Sequence, residues 1–243
     1  MRTYQRSRAV AASRPVVTSQ APHFPFNRSH VLVALILSLV VSSVSMPVAA
    51  EVSGLRVYIA ENEVDWNFDD VKREADITEL SFQIEEQIDT GTRLGAGLGY
   101  LNVSLRGEEG FETRRFDAQF IEFFMRHPFM LTESLELNTK FNYRYNTGDD
   151  DDDDDSANID WSEAGIELGI GIQFSRMKMT PYAAYRYLDG DLDADSGSES
   201  FDLDDRVSGG LRLDLYVDNS SYVGVALESG DYSRFYLTFA TEY

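Results

Sequence analysis

Residues 162–174, SEAGIELGIGIQF, alternate between two kinds of side chain. Every even-numbered residue from Ala164 to Phe174 is apolar, and every odd-numbered one from Glu163 to Gln173 is polar or glycine. A period of two predicts a β-strand with one apolar and one polar face. The apolar face contacts a protein core in a soluble β-sandwich or lipid-binding barrel, but it contacts lipid in a membrane barrel. The rest of the chain has to decide between these two.

The first 50 residues differ in composition from the rest. They contain five arginines and no acidic residue, and residues 31–50, VLVALILSLVVSSVSMPVAA, are uncharged. A basic segment, an apolar segment and small residues in that order predict a secretory signal peptide over residues 1–50, cleaved after Ala50. An uncleaved signal anchor is the alternative, which Pro47 and the neighbouring serines disfavour. A start codon assigned too far upstream would account for the long basic segment.

The remaining domain, residues 51–243, is strongly acidic and the chain has no cysteine. Removal of the leader takes five of the 21 basic residues and none of the 42 acidic ones, so the formal charge falls from −21 to −26. Such a chain does not suit nucleic acid, whose phosphates require Lys and Arg. Without cysteine there are no disulfides. Because no other run is long enough for a membrane helix, only a closed β-barrel could span a membrane.

Ten strands are predicted, at 54–62, 77–88, 92–105, 114–126, 134–145, 162–174, 179–188, 205–217, 221–228 and 232–243. The fifth to eighth and the tenth alternate regularly and carry no charge on the apolar face. The third strand changes phase between Tyr100 and Leu101. In the fourth, Phe116 and Phe120 share a register with Glu122, whereas Ile121 is in the other. A β-bulge in each strand would restore the alternation.

Connections between these strands alternate in character. Short ones follow the second, fourth, sixth and eighth strands, and longer or more acidic ones cover 63–76, 106–113, 146–161 and 189–204. Short periplasmic turns and longer outer loops are typical of outer-membrane barrels. Aromatic residues near the acidic connections predict an interfacial girdle, which comprises Tyr143, Tyr145, Trp161, Tyr185 and Tyr187.

The chain ends in SRFYLTFATEY, which alternates up to a terminal aromatic residue. Phe239 and Tyr243 in this pattern resemble the C-terminal assembly signal of Gram-negative outer-membrane barrel proteins. Together with the leader and the alternating strands, the domain is similar to the small porin-like and OmpA-like barrels as a class. The resemblance implies insertion by the barrel-assembly machinery, periplasmic termini and a surrounding of outer-membrane lipid and lipopolysaccharide.

The inward positions predict a charged lumen and no active site. A hydrolase on such a barrel needs a general base, but His23 and His30 lie in the leader and His127 lies at a predicted periplasmic turn. We therefore expect no enzyme. Charges paired across strands would fill the interior, whereas looser packing would leave a narrow passage for ions or small solutes. The predicted lumen residues are Glu136, Lys140, Arg144, Glu163, Glu167, Arg186, Arg206, Arg212 and Asp214.

Two acidic segments suggest cation binding. Residues 149–155 are seven consecutive aspartates. Asp191, Asp193 and Asp195 have the spacing of a calcium loop, although Ser196 stands where that loop has Gly. We hypothesise that these loops gather Ca²⁺ or Mg²⁺ near the lipopolysaccharide; a solvated, self-repelling loop is the alternative. No other cofactor is expected.

The sequence therefore predicts an all-β antiparallel transmembrane barrel of ten strands, with eight as the alternative. Its predicted role is structural or surface-interacting, in the outer membrane of the cell. A narrow porin-like channel is the rival function. A soluble lipid-binding barrel, released from cells without detergent, is the third. The oligomeric state and any ligand stay open.

Overall fold

A computed structural model of the protein describes residues 53–68, 71–88, 91–106, 113–150, 156–194, 197–203, 206–230 and 232–242. The predicted signal peptide lies outside this part. No helix among the described residues is long and apolar enough to cross a membrane. The strands are β1 (Gly54–Phe68), β2 (Val71–Gln87), β3 (Arg93–Leu105), β4 (Arg114–Met130), β5 (Leu135–Asp150), β6 (Ala157–Phe174), β7 (Met177–Ala194), β8 (Gly197–Leu203), β9 (Val207–Tyr216), β10 (Ser221–Ser229) and β11 (Tyr232–Glu242).

Ten of these strands close into a ring. Strands β1 to β7 pair in chain order, β7 also pairs with β9, and β9, β10 and β11 follow in turn. Strand β11 then pairs with β1 along residues 54–64, which closes the barrel. Closure leaves no unpaired edge in the ring, as a membrane barrel requires. The predicted ten-stranded antiparallel barrel is confirmed.

Strand β8 lies in a segment that the sequence predicted as a loop. It pairs with β7 through residues 197–202 and with β1 through residues 201–203. At that level β8 is the single strand between β7 and β1. Over the rest of the barrel, β9, β10 and β11 lie between them. The wall therefore has ten strands over most of its height and eight, β1 to β8, at one end. The alternative of eight strands describes that end alone.

The two ends of the barrel are named by what they carry. The terminal end holds residues 53 and 242 and the turns after β2, β4, β6 and β9, and the acidic end holds the other connections. In the turn after β9, the backbone N–H groups of Ser220 and Ser221 donate to Asp218 and lower the pKa of its carboxyl group. At the acidic end, the segments 63–76 and 189–204 are mostly strand, so the loops there are shorter than predicted.

A belt of apolar side chains surrounds the barrel towards the terminal end. Ile166, Leu168 and Ile170 of the opening stretch are about half exposed on its outer face. On β7 the outward residues are apolar from Met177 to Tyr187, which spans about 25 Å along the barrel axis at ~3.3 Å per residue and a tilt of ~40°. A closed barrel with such a belt is a transmembrane barrel of the outer-membrane type, and the apolar face of residues 162–174 contacts lipid.

Beyond the belt, towards the acidic end, the outward side chains become acidic. On β7 the residues that follow Tyr187 on this face are aspartates, and on β1 glutamates follow Ile59. We call this surface the acidic collar. Its carboxylates are Glu61, Glu63, Asp65, Glu74, Asp76, Asp117, Asp149, Asp160, Asp189, Asp191, Asp193 and Asp202.

Inside the barrel, the acidic end is filled by an apolar core. The Phe201 ring on β8 lies 4.6 Å from that of Trp66 and 4.9 Å from that of Phe68, and Trp66 lies 5.6 Å from Trp161. We call this core the apolar plug. It comprises Val64, Trp66, Phe68, Ala75, Ile77, Leu101, Val103, Leu105, Phe116, Ala118, Phe120, Ala157, Ile159, Trp161, Leu188, Leu192, Phe201, Leu203 and Tyr232.

The plug corrects two predictions. Strands β3 and β4 keep one continuous register without the expected bulges, because Leu101 and Phe120 face the plug while Tyr100 and Ile121 face outward. Trp161 was predicted in the girdle, but it is 2% exposed and lies inside the plug. The tyrosines of the predicted girdle do face outward, between 43% and 47% exposed; they are Tyr143, Tyr145, Tyr185 and Tyr187.

Candidate functional site

A polar cavity of about 290 Å³ occupies the lumen next to the plug. Its wall begins at Arg144, Glu163 and Arg186 below the plug and extends to Gln87 and Gly91 at the terminal end. This size is at the lower limit of small-ligand pockets. Among the described residues the apolar plug closes the cavity towards the acidic end, so it opens towards the terminal end.

The layer nearest the plug is organised around Glu79. Arg144 donates to its two carboxylate oxygens at 3.1 and 3.0 Å, and Arg234 donates to it at 3.2 Å. The side chain of Glu79 is fully buried, at 0% exposure. Because one carboxylate is shared by two buried guanidinium groups, its removal would leave both with less compensation.

A second acid, Glu122, adjoins this layer. Gln83 donates its amide N–H to Glu122 at 2.6 Å, and Arg144 lies 3.7 Å from the same carboxylate. The ammonium group of Lys140 is 3.8 Å from Glu122 and 5.5 Å from the centre of the Phe124 ring. The ion pair of Lys140 is therefore longer than the one between Arg144 and Glu79.

At the terminal end, ion pairs across the lumen connect the last strand to β3 and β4, three and four strands away around the ring. Arg93 lies 2.9 Å from both Glu85 and Glu242, and Arg126 lies 2.7 Å from Glu242. Arg126 also binds Glu85. Strands β2, β3, β4 and β11 are thus connected through the lumen as well as through the barrel wall.

The remaining side of the lumen has pairs on β5, β6, β7, β9 and β10. Arg212 donates to Glu167 at 3.0 Å and to Tyr236 at 2.8 Å. Arg186 binds Glu228, which also accepts a hydrogen bond from the Tyr182 hydroxyl at 3.1 Å. The last pair joins Lys178 to Glu136.

The structure places eight of the nine predicted lumen residues in the cavity wall. They are Glu136, Lys140, Arg144, Glu163, Glu167, Arg186, Arg212 and Asp214. Arg206 lies elsewhere: its guanidinium group is 5.0 Å from the centre of the outward-facing Tyr187 ring, and it pairs with Asp202 on the collar. Because Arg206 precedes the first residue of β9, the inward–outward alternation of that strand does not fix its direction.

The predicted lumen residues did not include the acids on β2 and β4 or the arginine of β11. In ITELSFQIEEQ, Glu79, Gln83 and Glu85 occupy the positions between Leu80, Phe82 and Ile84, whose apolar side chains face lipid. Alternation alone would therefore have assigned Glu79 and Glu85 to the lumen. Nothing in the sequence indicates that Arg144 and Arg234, 65 and 155 residues away, are the partners of Glu79.

The other predicted residues lie outside the cavity or at its rim. His127 is at the terminal rim, with Nδ1 2.8 Å from the Thr92 hydroxyl. Phe239 faces lipid on β11, whereas Tyr243 lies outside the described residues.

The predicted metal ligands lie on the exterior. Asp191 and Asp193 are outward on β7, and Asp191 accepts a hydrogen bond from Ser200 at 2.9 Å. Asp195 is outside the described residues. A different set of collar carboxylates has oxygens within 4.8 Å of one another, namely Glu63, Glu74 and Asp76. Arg106 binds the last two of these, so part of their charge is already compensated.

No family model matches the chain, and no curated protein does. Several solved structures are similar. The translocator domain of the autotransporter NalP from Neisseria meningitidis is 13% identical, over 89% of this chain and 97% of that one, with a TM-score of 0.45. The outer membrane protease OmpT from Escherichia coli is 9% identical, over 78% and 94%, with a TM-score of 0.44.

A third similar structure is an outer membrane channel from Pseudomonas putida F1. It is 10% identical, over 80% of this chain and 97% of that one, with a TM-score of 0.40. At such scores these likenesses say nothing about what this chain does. Its barrel follows from its own strand pairing and lipid-facing belt.

Proposed function

We propose that this chain is a sealed, non-conducting and non-enzymatic outer-membrane barrel that presents the acidic collar to the cell exterior. The observation that carries the proposal is the apolar plug, since it fills the lumen at the acidic end. The turns at the terminal end are short, with two residues after β6 and four after β9. The longest connections, eight residues after β3 and six after β5, are at the acidic end. Because outer-membrane barrels have their longer loops outside and short turns in the periplasm, the terminal end is the proposed periplasmic end.

Dense packing of the plug supports a closed lumen. Trp66 and Ile159 are 0% exposed, and Trp161 and Phe201 are 2% exposed. Apolar constrictions exclude water and block ion passage even where they are wider than an ion. The charged cavity therefore lacks a wet path to the acidic end through the described residues, which disfavours the rival porin-like channel.

The acidic collar supports a role at the outer surface. It follows directly after the lipid-facing belt, at the height where the anionic headgroups of lipopolysaccharide lie. A dense field of carboxylates raises the local concentration of divalent cations, and Ca²⁺ or Mg²⁺ could then bridge the collar to lipid phosphates. Lipopolysaccharide is accordingly the proposed partner of the collar, and the cations are held as a diffuse layer.

Planar-bilayer recording tests the seal. The refolded wild-type barrel should give no unitary conductance, whereas the double variant Trp66→Ala, Phe201→Ala should give brief openings because it removes two rings from the plug. Leu168→Ala in the belt is the matched control and should stay silent. Steady unitary conductance of the wild type would establish the channel instead.

Calorimetry tests the collar. Titration of Ca²⁺ into the refolded barrel should give weak, multi-site heat that decreases as the sodium chloride concentration rises. Absence of any such heat at low salt would remove the proposed cation layer.

Insertion by the barrel-assembly machinery is part of the same proposal. Phe239 pairs with Val57 on β1 at the strand junction that closes the ring. Phe239→Ser should therefore lower the amount of barrel in the outer-membrane fraction, whereas Phe235→Ser on the same face should lower it less. Equal amounts in both variants would argue against a specific role of Phe239.

A further inference from the structure

The cations of the cavity wall differ in how closely carboxylates hold them. Seven of them have a carboxylate oxygen within 3.2 Å. The two exceptions are Arg56, 3.9 Å from Glu85, and Lys140, 3.8 Å from Glu122. The nine cations are Arg56, Arg93, Arg126, Lys140, Arg144, Lys178, Arg186, Arg212 and Arg234.

Acids in the same wall are fewer than the cations. Glu79 and Glu85 are not in the cavity lining, although each pairs with arginines that are. In the part of the chain that the structure describes, seven acids remain in the wall, against nine cations. They are Glu122, Glu136, Glu163, Glu167, Asp214, Glu228 and Glu242. The described lining therefore has two more cations than acids, and Glu79 and Glu85 behind it make the two numbers equal.

Arg56 and Lys140 are connected through one pair of side chains. Arg56 donates to the Gln83 amide oxygen at 3.4 Å, and the Gln83 amide N–H donates to Glu122 at 2.6 Å. Glu122 is also the acid nearest to Lys140. The two loosely held cations thus lie on a shared part of the cavity wall.

A hydrogen-bond donor beside Lys140 has no partner among the described residues. It is the amide nitrogen of Asn138, which is buried although the residue lines the cavity. Asn138 is two residues from Lys140 on β5, so both side chains point to the same side of the barrel wall. Unsatisfied buried donors are costly, and an acceptor placed between such groups would satisfy them.

We propose that the cavity binds a small phosphate or carboxylate anion between Arg56 and Lys140, with Asn138 as an additional donor. The cavity volume of about 290 Å³ limits the ligand to a small solute. Because the cavity opens at the terminal end of the barrel and not through the belt, the source is a free anion and not a lipid headgroup. The formal charge of −21 repels anions from the protein as a whole, so saturable binding would report a local site.

The test is calorimetric titration of sodium phosphate, and separately of sodium acetate, into the refolded barrel at constant ionic strength. We expect one saturable site for at least one of them, with Kd below about 1 mM. Lys140→Met and Arg56→Gln should each weaken binding about tenfold or more, because each removes one charge of the pair. Lys140→Arg keeps the positive charge and should retain anion binding. Lys72→Met is the matched control, because it removes the same charge from the outward face of β2 and should change little.

Folding of each variant is checked by heat-modifiable migration on a denaturing gel. Lys140→Met leaves Glu122 with Gln83 and Arg144 nearby, so we expect it to fold, and Arg56→Gln tests the same pair independently. No saturable heat from either anion, or equal affinity in wild type and both charge-removing variants, would overturn the proposal. An equal loss in Lys72→Met would do so too. These outcomes are independent of the conductance experiment, which tests the plug and not the cavity.

Discussion

The two halves of this barrel have opposite radial arrangements. At the acidic end the inside is the apolar plug and the outside is the acidic collar. Towards the terminal end the inside is the charged cavity and the outside is the apolar belt. The same strands build both halves: on β7, Leu188 and Leu192 face inward beside outward aspartates, while Lys178 and Arg186 face inward beside outward tyrosines and methionines.

The difference follows from the solvent around each half. Water surrounds the collar, so burial of apolar side chains stabilises that half as it does in a soluble protein. Lipid surrounds the belt and is as apolar as the side chains it contacts, so little hydrophobic drive is left for filling the lumen. Paired charges and hydrogen bonds fill it instead. Four substitutions, one in each region, test this inversion through the free energy of unfolding in urea of the barrel refolded in lipid vesicles.

The largest effect is expected inside the charged half. Glu79→Ala should lower the free energy of unfolding by about 3–5 kcal/mol, because it leaves Arg144 and Arg234 without their shared carboxylate. Glu86→Ala, on the outward face of the same strand, is the control and should cost less than about 1 kcal/mol. Equal losses in the two variants would mean that the lumen network does not stabilise the barrel.

Inside the plug, Phe201→Ala should lower the free energy of unfolding by about 3 kcal/mol. Its ring packs against Trp66 and Phe68 and joins β8 to the rest of the core. Phe235→Ala, in the lipid-facing belt, is matched in chemistry and should cost clearly less, because lipid can fill the space. A larger loss at Phe235 would show that the plug is not the core of the acidic end.

On the outside of the belt, Leu168→Arg should cost at least about 2 kcal/mol, since it places a charge near the middle of the lipid-facing face of β6. The control Ser162→Arg is on the same strand and the same outward face, but at the level of the collar. It should leave the free energy of unfolding nearly unchanged. A penalty at Ser162 as large as that at Leu168 would contradict the boundary between belt and collar.

The smallest effect is expected on the collar. Asp191→Asn should change the free energy of unfolding by less than about 0.5 kcal/mol, because this exposed residue has like charges for neighbours and one hydrogen bond to Ser200. Relief of like-charge repulsion should slightly stabilise the variant at low salt, and this difference should disappear as ionic strength rises. A salt-independent loss above about 1 kcal/mol would instead indicate a structural role for this carboxylate.

The inversion also explains where sequence reasoning succeeded and failed. On β5, β6 and β9 the alternation inside the belt is regular, and eight of the predicted lumen residues line the cavity. On β3 and β4 the apolar side chains change sides at Tyr100–Leu101 and Phe120–Ile121. That change looks like a bulge in the sequence but marks the level at which the strand leaves the lipid. Trp161 also lies beyond the lipid-facing level of its strand, so it packs in the plug and not in the predicted girdle.

The sequence by itself determined the strands of the membrane ring, their outward faces and the acidic character of one end, because a period of two is a local property of neighbouring residues. Only the tertiary structure decided that β8 joins the wall, that the plug closes the lumen, and which charges pair. Those features depend on residues far apart in the chain, such as Arg234 and Glu79, which are 155 positions apart and meet only once the ring has closed.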